Sequence, residues 1–181
     1  MSSSRIERTL TRIAFQIYED TRGSENLYIM GINDRGLQLA DILAAKLSEI
    51  YHSGIKANPV NLKNESSSEE EHSMKKAHPV AYSGIEDKKV VIVDDVIYSG
   101  KTMFQTLQML TSAETPEEIK LAALVDRGHR RFPLNIEYLG MFCPTKLDEH
   151  VHCSFTDKGV PEGVWLYANS SSRMDRTGFL Y

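Results

Sequence analysis

The stretch Val90-Val91-Ile92-Val93-Asp94-Asp95-Val96-Ile97-Tyr98-Ser99-Gly100-Lys101-Thr102 restricts the fold more than any other part of this chain. Four consecutive β-branched residues leave no polar face. The predicted strand is therefore covered on both sides, as in a parallel sheet flanked by helices. Asp94 and Asp95 fall at its C-terminal end, where open α/β sheets place their ligands. The turn Ser99-Gly100-Lys101-Thr102 then runs into a helical pattern with Met103, Leu107 and Leu110 on one face. Its backbone N–H groups and two hydroxyls open a helix N-terminus, and such a turn cradles anions.

Carboxylates repel phosphate, so the two features suit one ligand only if it carries both kinds of partner. A sugar phosphate does: its phosphate sits in the turn while its hydroxyls donate to the acids, with a divalent cation such as Mg²⁺ offsetting the remaining charge. The arrangement resembles the phosphoribosyl-pyrophosphate (PRPP) motif of type I phosphoribosyltransferases, an acid pair followed by a Thr/Ser-Gly-x-Thr loop. Every element of that motif is present. Gly100-Lys101-Thr102 also suggests a P-loop, but that spacing requires glycine at position 95, where Asp95 stands. The acid pair further suggests a response-regulator receiver, with Asp126 as phospho-acceptor at the end of a later strand. Receivers carry the pair near the start of the domain, whereas here it lies mid-chain and a phosphate turn follows it. A buried strand ending in merely solvated acids explains the apolar run but not the acids and hydroxyls converging beside it.

With 181 residues, 41% hydrophobic and 25% charged, the chain suits one domain with a substantial core. Apolar runs fall short of membrane-spanning length, and the first residues lead into an amphipathic pattern. The cytoplasm is the expected location. A net charge of −4 argues against a dedicated nucleic-acid binder. Cys143 and Cys153 read as small, semi-buried thiols of a reduced protein. A metal site built from them with His150 and His152 would need a turn to bring alternating strand residues together, so no protein metal cage is expected.

Ile6, Leu10, Ile13, Ala14 and Ile17 predict an amphipathic helix from residue 5 to about 20, closed by Gly23. Residues 27–32 predict a short strand. The polar turn Asn33-Asp34-Arg35-Gly36 follows, then a helix carrying Leu39, Leu43 and Leu47. This second strand-loop-helix opens onto the same sheet edge as the first. Residues 63–76 are almost devoid of apolar side chains and predict a mobile loop between the two ligand-facing units, where a lid would be useful. A buried strand over 119–125 ends in Asp126-Arg127-Gly128-His129-Arg130-Arg131, and shorter strands are predicted over 136–141, 151–155 and 164–168. The expected fold is α/β, a twisted, mostly parallel sheet with flanking helices and a small appended hood.

Nearly the whole chain resembles one subgroup of type I phosphoribosyltransferases, the pyrimidine-operon attenuation regulators that double as uracil phosphoribosyltransferases. The resemblance is carried by Thr9-Leu10-Thr11-Arg12-Ile13-Ala14, Gly31-Ile32 with Arg35-Gly36, the PRPP motif, Leu124-Val125-Asp126-Arg127-Gly128-His129-Arg130 and Pro144-Thr145, all in the family's order. It implies that Asp94 and Asp95 bind the ribose hydroxyls, that Val96, Ile97, Tyr98, Ser99, Gly100, Lys101 and Thr102 wrap the 5′-phosphate, and that Asn33, Asp34, Arg35 and Gly36 hold pyrophosphate. Arg35 is its natural partner, because a guanidinium fork matches phosphate oxygens. Asp126, Arg127 and His129 lie on the ligand edge; contact with the base or pyrophosphate and a salt-bridged hinge are equally compatible with their sequence. Pro144 and Thr145 match the family's hood over the base. Arg35, Asp94, Asp95 and Arg127 are the residues on which catalysis is expected to rest, with Mg²⁺ as cofactor, PRPP and a nucleobase such as uracil as substrates, and at least a homodimer as the assembly.

The chain also departs from that pattern. The family has lysine where Asn33 stands and threonine where Asp34 stands, so pyrophosphate binding is expected to be weaker. Its mobile loop carries a Leu-Tyr-Arg-Asp-Asp-like sequence, replaced here by Asn64-Glu65-Ser66-Ser67-Ser68-Glu69-Glu70-Glu71. Its RNA-binding face is basic, whereas Asp20 and Lys146-Leu147-Asp148-Glu149-His150 occupy that face here. Arg12, Arg22 and Lys146 are the basic residues left to it, so any RNA affinity is expected to be weak.

Overall fold

In the computed structural model, residues 1–22, 26–60 and 84–168 are described. Helix α1 spans Ser3–Thr21 and is followed by strand β1 (Leu27–Ile32), helix α2 (Asn33–Tyr51) and strand β2 (Ala57–Val60). Strand β3 (Lys89–Ile97), helix α3 (Lys101–Ala113), and strands β4 (Glu118–Asp126) and β5 (Tyr138–Phe142) come next. A hairpin of β6 (Glu149–Phe155) and β7 (Pro161–Ala168) completes the described chain. Gly23 and the loop expected over 63–76 lie outside the described residues.

The β-branched run sits where its composition demands. Strand β3 lies at the centre of a five-stranded parallel sheet ordered β2-β1-β3-β4-β5. Its residues alternate between two cores. Val91 and Val93 pack with Ile29, Leu124 and the buried faces of α1 and α2. Val90 and Ile92 pack with Met30, Leu121, and Met103 and Leu110 of α3. Each such side chain contributes about 1.5–3 kcal/mol on burial, which is why an all-apolar strand settles only between two helical layers.

The predicted amphipathic stripe of α1 is realised, with Ile6, Leu10, Ile13, Ala14 and Ile17 all buried. Arg22, in the left-handed conformation with φ 44°, caps the helix through its N–H to the Tyr18 carbonyl. Strand β2 was not anticipated: it has four residues, includes Pro59, and lies at the sheet edge, where a missing N–H is tolerated. The turn expected at 33–36 is instead the first turn of α2, entered through Asn33 at φ 53°.

The antiparallel β6–β7 hairpin forms the hood. It is pinned to the start of α1, where the Met1 ammonium donates to the Val164 carbonyl at 2.7 Å and Ser2 bridges to Gly163. Among the described residues, no helix is long and apolar enough to cross a membrane.

Candidate active site

The strand order changes direction between β1 and β3, since β2 lies outside β1 while β4 and β5 extend the sheet beyond β3. Such a switch point opens a crevice at the C-terminal ends of the two strands. The chain places its polar groups on both lips: the first turn of α2 follows β1, and Asp94 and Asp95 occupy the last turns of the pleat in β3. Glycine allows this proximity. A Cβ on Gly36 would stand 2.7 Å from the Val93 carbonyl oxygen, and one on Gly31 would stand 2.3 Å from the Leu37 Cα.

Asp94 and Asp95 are adjacent carboxylates with little water around them, and the Asp95 side chain is 14% exposed. Burial, reinforced by the Asp95 carboxylate, holds Asp94 well above the usual carboxylate range. Its Oδ1 accepts the Asp95 N–H at 2.9 Å. Across the crevice, Arg35 is half exposed and lies 4.0 Å from Asp95 Oδ2, a loose pairing that leaves its guanidinium available. The Cys153 thiol of the hood also faces this group. Burial and then the Asp95 charge push it up, so it stays protonated.

The phosphate turn leaves β3 at Ile97 and enters α3 through Gly100, whose φ of 78° admits glycine without strain. The Lys101 N–H points to Ser99 Oγ at 3.3 Å. The first-turn N–H groups of α3 have no partners within the helix, and a helix start of this kind is suited to an anion. The 127–132 segment backs it, with Arg127 N–H on the Ile97 carbonyl and Arg131 N–H on the Ser99 carbonyl, both at 2.9 Å. Phe132 stacks on Phe104 with ring centroids 4.8 Å apart.

That segment also grips the hood. Arg127 is buried, donating from Nε to Thr145 Oγ1 at 3.0 Å and from Nη2 to the Glu149 carbonyl. Its guanidinium carbon lies 4.3 Å from the centre of the Tyr98 ring. His129 Nε2 pairs with the Thr145 carbonyl at 2.6 Å, and its ring lies 5.2 Å from that of Tyr98. Phosphate turn, Arg127 and hood thus form one linked unit. Sequence reasoning missed this link, because neither a tyrosine ring as a platform nor a backbone carbonyl at 149 leaves a pattern in the chain.

Asp126 is fully buried, and its oxygens accept from Arg130 and from the Gly128 N–H at 2.9 Å. This is the ion pair that the salt-bridged reading of the segment expects. Pro144 is exposed beside the buried Thr145. On the face considered for RNA, Arg12 donates to the Leu139 carbonyl of the edge strand at 2.8 Å, and Asp20 accepts from Lys120 at 3.1 Å and the Tyr138 hydroxyl at 2.9 Å. Cys143 and Cys153 are free thiols.

An acid pair and an anion turn on one strand, facing Arg35 at the start of α2 across a switch point, make a site suited to a sugar phosphate. The chain belongs to the phosphoribosyl transferase domain family, which matches residues 2–158, and it is a phosphoribosyltransferase. It is 38% identical over 170 residues to the bifunctional protein PyrR of Deinococcus radiodurans, covering 92% of each chain. It is 33% identical over 166 residues to the bifunctional protein PyrR of Clostridium kluyveri, covering 90% of this chain and 92% of that one. The fold matches hypoxanthine phosphoribosyltransferase of Trypanosoma cruzi at a TM-score of 0.61 and 18% identity, over 80% of each chain. It also matches HGPRT-ase of Leishmania tarentolae at 0.64 and 14% identity, over 81% of each. The receiver alternative falls with this assignment.

Proposed function

We infer that the chain transfers ribose 5-phosphate from PRPP to uracil or a related nucleobase, releasing pyrophosphate. The observation that carries this reading is the pairing of a desolvated acid pair with an anion-binding helix start on one strand, since PRPP presents hydroxyls and a 5′-phosphate at that spacing. Asp94 and Asp95 accept from the ribose hydroxyls, and residues 96–102 wrap the phosphate. Arg35, with the backbone of residues 33–36, faces the pyrophosphate.

In the transfer, the bond between C1 of the sugar and pyrophosphate oxygen breaks and its electron pair leaves with pyrophosphate. A ring nitrogen of the base bonds to C1 and gives up its proton. Positive charge develops on the sugar ring, beside two carboxylates, so the site's contribution is electrostatic and positional, with no covalent nucleophile. Arg127 is a positioning residue, fixing Thr145 and the hood segment that would read the base through backbone groups. Mg²⁺ suits this donor set: it is usually held by one or two carboxylates together with substrate phosphate oxygens, and when bound it neutralises charge on the departing pyrophosphate.

A second, regulatory reading draws on the word bifunctional in the relatives' names. RNA binding of that kind would have to work with Arg12 and Asp20 engaged within the chain, so the transferase reading leads. Calorimetry with PRPP and Mg²⁺ tests it. Micromolar binding is expected, lost in Asp94→Asn combined with Asp95→Asn because charge-assisted hydrogen bonds of about 1.5–3 kcal/mol each disappear. Unchanged affinity in that double variant would remove the acid pair from the ribose site.

A further inference from the structure

Strand β6 runs from the Arg127 contact past the acid pair toward the start of α2. It begins with the Glu149 carbonyl on Arg127, passes Cys153 against Asp95, and ends in the hairpin turn over 156–160. There the hood meets α2: a Cβ on Gly159 would stand 3.7 Å from Gln38 Cγ. Gln38 follows Arg35 by three residues, so the two share a helix face one turn apart. The hairpin tip therefore sits beside the turn at 33–36. Its shape is fixed by Thr156 N–H on the Val160 carbonyl at 2.9 Å, Gly159 N–H on the Thr156 carbonyl at 2.8 Å, and Val160 N–H on Thr156 Oγ1 at 3.1 Å.

At that tip Lys158 is exposed and enters no ion pair among the described residues. The lip it adjoins is short of positive charge: Asn33 is neutral, Asp34 is acidic, and Arg35 faces Asp95. Pyrophosphate carries several negative charges and needs more than one cation. We propose that Lys158, presented by the hood hairpin, is the second protein cation of the pyrophosphate subsite, supplied from the opposite wall because position 33 lacks one. The inference rests on the transferase reading of residues 33–36. Its neighbour Asp157 is the only acid on the tip and opposes it.

Calorimetry with magnesium pyrophosphate and, separately, UMP tests the assignment, because UMP has the 5′-phosphate but no pyrophosphate. Lys158→Gln should weaken pyrophosphate about three- to tenfold, Lys158→Arg should restore it, Asp157→Asn should not weaken it, and UMP affinity should not change. Unaltered pyrophosphate affinity in Lys158→Gln would overturn the proposal, as would an equal loss of UMP affinity, which would mark a distorted hood. An unmodified protein that binds UMP but not pyrophosphate would remove both Lys158 and residues 33–36 from the subsite. One that binds neither would overturn the phosphoribosyl reading beneath them.

Discussion

Asp94 illustrates how a binding group opposes the stability of its own fold. Its carboxyl is held above the unfolded value by burial and by Asp95. Between those two values the folded protein holds more protons than the unfolded chain, so stability is fully present below about pH 3.8 and declines as pH rises through the folded value. The penalty of ionising Asp94 in the ligand-free protein therefore grows as pH rises from there toward the folded value. Asp94→Asn should raise Tm at pH 7.5 by about 2–4 °C, the equivalent of about 1 kcal/mol in a domain of this size. That gain should vanish near pH 3, while PRPP binding is impaired at neutral pH. A calorimetric Tm that falls at pH 7.5 would show that the pair is not strained. Arg127 behaves in the opposite sense. Arg127→Gln leaves Thr145, the Glu149 carbonyl and the Tyr98 ring without their shared partner. It should cost about 2–3 kcal/mol in urea unfolding. Arg127→Lys should recover little, because one ammonium cannot reproduce a fork that also lies on a ring.

Among the elements, the start of α2 shows most clearly what the sequence conveys and what it hides. Gly31 and Gly36 were legible as a close approach at the strand end, because glycine between a strand and an apolar helix signals one, and the structure shows it. That Asn33 adopts φ 53° was not, since asparagine is common in turns of several kinds. Substitution there exposes the cost: Asn33→Ala should destabilise by about 1 kcal/mol, whereas Asn33→Gly should be nearly neutral, as read by thermal unfolding. Equal effects of the two would contradict the left-handed backbone. Asn33→Lys would then combine a gain in charge with strain, which gives a physical reason for a cation to reach this lip from the hood instead. The central strands and the three helices of the described residues could be read from apolar periodicity, because burial on one or two faces writes itself directly into residue type. Strand β2 could not: four edge residues including Pro59 carry too little pattern. Strand β5 starts two residues later than expected, at Tyr138, since Ile136 is buried as part of the connection into the sheet.

For the molecule as a whole, function follows from topology. The order β2-β1-β3-β4-β5 makes the crevice, and three distant segments furnish it: the first turn of α2, the end of β3 with α3, and the hood reached through Arg127. Asp94, Asp95 and the 99–102 turn were readable because they are contiguous. The proximity of Glu149, Cys153 and the 156–160 tip to these segments was not, because only folding brings them there. All parts converge on one reaction, and the most direct measurement of it is a nucleobase screen. The protein is incubated with Mg²⁺ and PRPP alongside uracil, cytosine, hypoxanthine, guanine or adenine, and the nucleotides are separated and identified by mass. The predicted result is UMP from uracil, formed with an equal amount of pyrophosphate and abolished in Asp94→Asn combined with Asp95→Asn. No nucleotide from any base, or UMP formed equally well by the double variant, would contradict the account.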